Sequence, residues 1–326
     1  MPSVARRIKN GLVPSRPASD GTPLICTCLV GFIKFGKTPM PSNDQGLTIA
    51  HARIAREREK RSGILDLGNL GLKEWPAELW ELTHLTCLNL GVGWTDESQG
   101  FHFAEPGIAY APNALSPVEA RAAWVRLPNL QILSLAGPRG DGSPWSDLSG
   151  LENLTQLRVL DLSWTEVADL CPLADLNHLE VLDASYTFVS SLAPLARLSA
   201  LRHLDINYTD VADLAPLEDH PALQTLLCYH TPVASVSPLA KLTALRKIDL
   251  THTQVTTLES LAHLPALQNL HCAWTPIESI PESLVRLTSL QNLILHETAI
   301  SNVPIEVLSQ DNATNCLESL RAYFSL

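Results

Sequence analysis

The sequence predicts an α/β solenoid of about ten stacked repeats, a curved horseshoe with parallel strands on its concave face and short helical or irregular turns on its convex face. Three observations carry this. Five consecutive units starting at Leu157, Leu179, Leu201, Leu223 and Leu245 share one length of 22 residues, and self-similarity at a fixed short period marks a stacked architecture. Inside each unit, apolar residues at positions 1, 4 and 6 alternate with polar ones as a short strand requires, while positions 11, 14, 17 and 20 bury a return segment. The composition, 45% hydrophobic and 17% charged over 326 residues, sustains a continuous core.

The same composition excludes several functions. A net charge of -11 argues against binding to a phosphate backbone, and the lack of an 18-residue apolar run argues against a membrane span. Seven cysteines form no Cys-x-x-Cys pair, so neither a zinc site nor a redox motif is expected and a reducing, cytoplasmic compartment fits best. The charge is also divided. Residues 1–62 carry eleven Lys and Arg against four Asp and Glu, a balance of +7, and the rest carry twelve against thirty, a balance of -18.

In chain order, residues 1–45 read as an unstructured leader, without periodicity; Met40 is an alternative start. Residues 46–61 predict a basic capping helix, with Ile49, Ile54 and Ala55 on its inner face, because terminal repeats need a lid. The repeats fill 62–316, irregular in length before Leu157 and from Leu267 onward. Cys228 and Cys272 fall in an apolar column as small hydrophobes. Thr165, Thr187, Thr209, Thr231, Thr253, Thr275 and Thr298 recur at position 9, where a hydroxyl can satisfy a turn carbonyl. Pro172, Pro194, Pro216 and Pro238 recur at position 16, suited to starting a tight helical turn. An insertion at 93–129 holds Trp94, Phe101, Phe103, Tyr110 and Trp124, with SPVEARAAW as a helix capped by Ser116; it is either a binding face or a packed flap. Residues 317–326 read as a C-terminal helix or the start of a truncated linker.

Successive Leu-led units on the template LxxLDLxxTxVxDLxPLAxLxx resemble leucine-rich repeat proteins, and the 22-residue units look like the internalin class. The segment IAREREKRSGILDLGNLGLKEWPAELWELTHLTCLNLG and the exit PIEVLSQDNATNCLESLRAYFSL are similar to the repeat region of bacterial Roco proteins. That likeness implies a regulatory arm ahead of a GTPase domain, which this sequence does not contain.

GFIKFGKT at 31–38 matches a phosphate-binding loop letter for letter. Pro39 and Pro41 disfavour the helix that must follow it, so it reads as a chance match and no cofactor is expected. Position 5 carries Asp66, Asp161, Asp183, Asp205 and Asp249, interrupted by Leu227. Position 8 carries Trp164, Tyr186, Tyr208, His230, His252 and Trp274, with Tyr229 alongside. Read as solvent-facing, these columns form an acidic stripe beside an aromatic one, suited to a partner protein with a basic surface. His203, His230, His252, His271 and His296 lie in an open row rather than a converging set, so no metal is expected. No serine, cysteine or carboxylate is placed against a base, which predicts a binding scaffold and not an enzyme. A nucleotide-binding protein and a bacterial effector recruiting host proteins are the rival readings.

Overall fold

A computed structural model describes residues 43–95, 101–103, 112–138, 143–311 and 313–325. The leader to residue 42 with its GFIKFGKT motif, Tyr110, and the side chains of Trp94, Phe101 and Phe103 lie outside what is described.

Strands β1 (Ile64–Asp66), β2 (Cys87–Asn89), β5 (Ile132–Ser134), β6 (Val159–Asp161), β7 (Val181–Asp183), β8 (His203–Asp205), β9 (Thr225–Leu227), β10 (Lys247–Asp249), β11 (Asn269–His271) and β12 (Asn292–Ile294) form one open parallel sheet in that order. The insertion adds an antiparallel pair, β3 (Gly93–Thr95) with β4 (Phe101–Phe103). Each sheet strand covers positions 3 to 5 of its unit. Register is fixed by position 4: Leu160, Leu182, Leu204, Leu226, Ile248, Leu270 and Leu293 pair in sequence across the sheet, all of them buried. A one-residue slip would turn that row outward.

The return segment of the unit from Leu267 is a helical turn, α3 (Glu282–Val285), and those of the five 22-residue units are short 3-10 turns. Pro172, Pro194, Pro216 and Pro238 each occupy their second residue, where proline's missing N–H is not needed. The position-9 threonines do what their spacing predicts: hydroxyls of Thr165, Thr187, Thr209, Thr231, Thr253 and Thr275 donate to the carbonyl three residues back at 2.6–2.7 Å, and Thr298 does so at 3.1 Å. Cys228 and Cys272 are buried in the core. One column departs from its type. His220 stands where Leu176, Leu198, Leu242 and Leu264 stand in other units, fully buried, with Nε2 on the Leu195 carbonyl at 3.0 Å.

Both ends of the sheet are sealed. Helix α1 (Asn43–Lys60) buries Ala50, Arg53, Ile54 and Glu57 against the first unit, while Ala55 faces solvent. Two polar residues thus occupy the inner face where the apolar pattern suggested Ala55. Arg53 donates to the Asp66 carbonyl at 2.7 Å, occupying the outer edge of β1. Glu57 accepts from Ser62, from the Gly63 amide at 2.7 Å, and pairs with His84 at 2.8 Å. Burial pushes its carboxyl up, but these hydrogen bonds win and hold it below the usual range. The helix sits so close that a Cβ at Gly46 would lie 1.8 Å from the Leu70 oxygen. At the far end, the amides of Leu293 and Leu295 donate to Asn315 (3.0 Å) and Ser309 (2.9 Å). Helix α4 (Leu317–Tyr323) closes over them, burying Leu317 and Leu320.

Within the insertion, α2 (Pro117–Ala120) starts at Ser116, but that side chain makes no capping bond; its carbonyl accepts the Trp75 indole N–H at 2.9 Å. Trp124 then meets Trp75, Trp80 and Trp145 at ring separations of 5.8, 5.5 and 6.4 Å. Asn113 ties the strap down by donating to the carbonyls of Leu67 and Leu90 at 2.8 Å and accepting the Leu72 amide at 3.0 Å. This part of the insertion is a packed flap.

Candidate functional site

The site is built where each strand ends. Past position 5 the chain must leave the sheet, and its amides need acceptors. Position 5 supplies the first. The Oδ1 atoms of Asp161, Asp183, Asp205 and Asp249 accept the amide two residues on at 2.8–3.0 Å, as Asp66 and Asn89 do earlier. Ser163 and Ser185 also donate their hydroxyls to the same oxygens. At Leu227 the acceptor is missing. Asn207 of the preceding unit replaces it, its Oδ1 taking the Tyr229 amide at 2.6 Å.

The expected acidic stripe is therefore a row of turn caps. Asp161 is only 2% exposed, and Asp183, Asp205 and Asp249 are half-buried. Period-2 alternation marks position 5 as outward, but the local bond from side chain to backbone folds the carboxylate back. Burial drives the Asp183 carboxyl up, partly offset by Ser185. Asp205 is driven well up, by burial first and then by Asp183 beside it.

Position 8 lies three residues beyond the strand, in the turn at its C-terminal end, so the aromatic column runs along an edge of the sheet rather than across its flat. Trp164, Tyr186, Tyr208, His230, His252 and Trp274 all adopt left-handed backbone, with φ between 55° and 61°. For a residue other than glycine that costs about 1 kcal/mol. The conformation aims each amide at the next unit: Trp164 donates to Ser185, Tyr186 to Asn207, Tyr208 to Tyr229, His230 to Thr251, His252 to Ala273 and Trp274 to His296, at 2.8–3.0 Å. It also brings the rings together. Trp164 stacks on Tyr186 at 3.8 Å, Tyr186 on Tyr208 at 4.3 Å, and Tyr208 on His230 at 5.0 Å. His230 meets His252 at 5.6 Å, and His252 stacks on Trp274 at 5.4 Å. Tyr229 is an aromatic at position 7, as His296 is in the last unit, edge-on to Trp274 at 5.7 Å; Tyr229 touches Tyr208 at 5.0 Å and stands edge-on to His252 at 5.5 Å. The seven rings are half-exposed and contiguous. Each stacked pair adds about 0.5–1.5 kcal/mol beyond burial, matching the backbone cost.

Residues 221–263 match the family model for leucine rich repeats in two copies. The chain folds as a leucine-rich repeat solenoid. Among solved structures it is similar to the internalin InlF of Listeria monocytogenes (24% identity, 83% of each chain, TM-score 0.63). It is also similar to internalin C2 of the same organism (23% identity, 73% of this chain and 98% of that one, TM-score 0.53). A third similarity is to the ectodomain of the Arabidopsis thaliana receptor kinase GASSHO1/SCHENGEN3, solved in complex with CASPARIAN STRIP INTEGRITY FACTOR 2 (19% identity, 76% of this chain and 32% of that one, TM-score 0.54). No curated protein matches the sequence.

On this leucine-rich repeat solenoid two arginines of the sheet face share one carboxylate. Arg158 reaches Glu180 at 2.8 Å and Arg202 reaches the other Glu180 oxygen at 3.2 Å. Asn207 is the functional residue that sequence reasoning missed; the break at Leu227 is the signal that a substitute acceptor is needed. The column also yields a prediction. Asp205→Asn keeps the turn cap, since Asn89 already plays that role, while removing a carboxylate stacked beside Asp183. A carboxyl held above its usual range contributes stability that is present below that range and lost as pH rises. The variant should therefore be more stable at neutral pH by on the order of 1 kcal/mol, with the gain fading on acidification. Melting temperatures at neutral and acid pH test it; an equal gain at both would refute the charge argument.

Proposed function

We propose that this solenoid is a cytoplasmic protein-interaction module that captures a partner protein on its aromatic ladder and has no catalysis of its own. The observation that carries the reading is the run of seven half-exposed rings along one edge, six of them set on left-handed backbone. Tyr and Trp dominate interface hot spots because they supply rigid, amphipathic area at low entropic cost. A single exposed ring needs no explanation, whereas a contiguous row does. The -18 balance of residues 63–326 favours a partner with a basic surface. The ladder supplies the contact area and the solenoid's field steers the approach. Among the described residues, no group of three or more His, Cys, Asp or Glu is arranged for a metal, and no helix is long and apolar enough to cross a membrane. The free thiols of Cys87, Cys171, Cys228, Cys272 and Cys316 support a reducing compartment.

Site-specific photocrosslinking tests the surface. A benzoylphenylalanine at Tyr229 is expected to crosslink the partner, and the same group at Ser235 on the return segment is not. Equal crosslinking from both positions, or none from Tyr229, would sink the assignment.

A further inference from the structure

Two neighbouring rungs in the middle of the ladder, unlike the Tyr and Trp rungs beside them, can take up a proton. His230 and His252 are neighbours, their rings 5.6 Å apart, held between Tyr208 at 5.0 Å and Trp274 at 5.4 Å and flanked by Tyr229. We propose that this pair is a proton-operated break: when both imidazoles are charged the ladder parts between Tyr208 and Trp274, and the partner segment lying across it is released. The release rests on the reading of the ladder as the partner surface; the break does not.

Both imidazoles are half-buried. A closed stack excludes the water that would solvate an imidazolium, and charging both rings places two like charges on adjacent rungs. Attraction from the faces of Tyr208 and Trp274 opposes the break, but it acts on each ring singly and leaves the repulsion between them. Burial pushes His230 down from the ordinary histidine value. Burial, and then His230 beside it, push His252 down to about 4. A base depressed in the closed state stabilises that state above its ordinary value, near 6.5, and withdraws the stabilisation as pH falls toward about 4. Opening the stack restores the ordinary value to both rings. The two protonations are thereby coupled, and the transition is steeper than a single histidine would give.

The groups facing the pair do not cancel this. Asp249 on β10 attracts a charged His252, but it is shared with His271, whose Nδ1 lies 3.9 Å from Oδ2. Lys247, on the same strand, disfavours charge at His271. The Asp205 carboxyl, driven up by burial and by Asp183, takes up its own proton on the way down, so its attraction is withdrawn as the imidazoles charge. Tyr208 and Tyr229 stay neutral throughout, because burial pushes both hydroxyls above the ordinary value.

Near-ultraviolet circular dichroism of the full chain, where stacked Trp and Tyr rings give the signal, reads the break directly, and the far-ultraviolet signal reports the fold. The wild type is expected to lose at least half of its near-ultraviolet signal between pH 6.5 and about 4, with the far-ultraviolet signal unchanged. The double variant His230→Phe with His252→Phe keeps two rings that cannot charge and should hold its signal across that range. Should it fail to fold, His252→Gln alone is expected to flatten the transition from two coupled protons to one. Identical pH profiles for wild type and variant would overturn the proposal, as would loss of both signals together. A chain that breaks its ladder on cue but crosslinks no partner refutes the binding reading alone.

Discussion

Trp124→Ala is expected to destabilise the chain by about 3–5 kcal/mol, the range for truncating a fully buried indole. Trp124 is 1% exposed and, together with Trp75, its ring forms the hub of a four-tryptophan cluster, each of the two meeting all the others. Trp75 and Trp80 come from the turn after β1, Trp145 from the segment before β6, and Trp124 from the insertion. Its loss leaves a cavity that collapses poorly, because the neighbouring rings are fixed by separate chain segments and Trp75 by the Ser116 carbonyl. Repeats contact only their neighbours, so the damage should stay in the first three units. Urea unfolding followed by tryptophan fluorescence and by far-ultraviolet circular dichroism should show the fluorescence transition moving to lower urea and separating from the other. Coincident transitions at the wild-type midpoint would refute the hub role.

At the opposite end, Leu320→Ala should cost about 2–5 kcal/mol and also change how the molecule behaves in solution. Leu320 is fully buried in α4, which Arg321 anchors by donating to the carbonyls of Val285 (3.3 Å), Leu287 (3.0 Å) and Leu290 (3.2 Å). When the lid loosens, Asn315 and Ser309 leave the amides of Leu293 and Leu295, and the outer edge of β12 becomes a template for another chain. Light scattering should reveal concentration-dependent association, and hydrogen exchange should quicken in the last two units before the rest. A monodisperse variant with wild-type exchange at Leu293 and Leu295 would count against the edge-sealing account.

The periodic part of the molecule was legible in the sequence because a 22-residue period repeats every contact. The leucine rows, the threonine bonds and the proline turns could be placed by counting. Counting also placed the aromatic column, and the structure brings those rings into contact. It misjudged position 5, because alternation reports which way a side chain leaves the strand and not whether it bends back to its own backbone. Asn207 serving the Tyr229 amide lies one unit away from the break it repairs, and no single template shows such an exchange. The ends carry no period at all. Glu57 finds His84, Arg321 finds three carbonyls and Trp75 finds Ser116 only after the chain has folded, so the sealed edges and the flap could be anticipated as needs but not as contacts.

The left-handed turn at position 8 limits what this edge can become. Asn69 in the first unit and Glu297 in the last share the conformation, with φ of 57° and 50°, so it is not peculiar to aromatic side chains, while Val92 and Gly137, at the same position of the two units that start at Leu85 and Leu130, do not adopt it. Valine, isoleucine and threonine are all but barred there by their branched Cβ, whereas aromatic, amide and carboxylate side chains enter freely. A library randomised at the left-handed positions of the 22-residue units would return a restricted alphabet, one that excludes branched aliphatics and grows by a single letter with every such unit added.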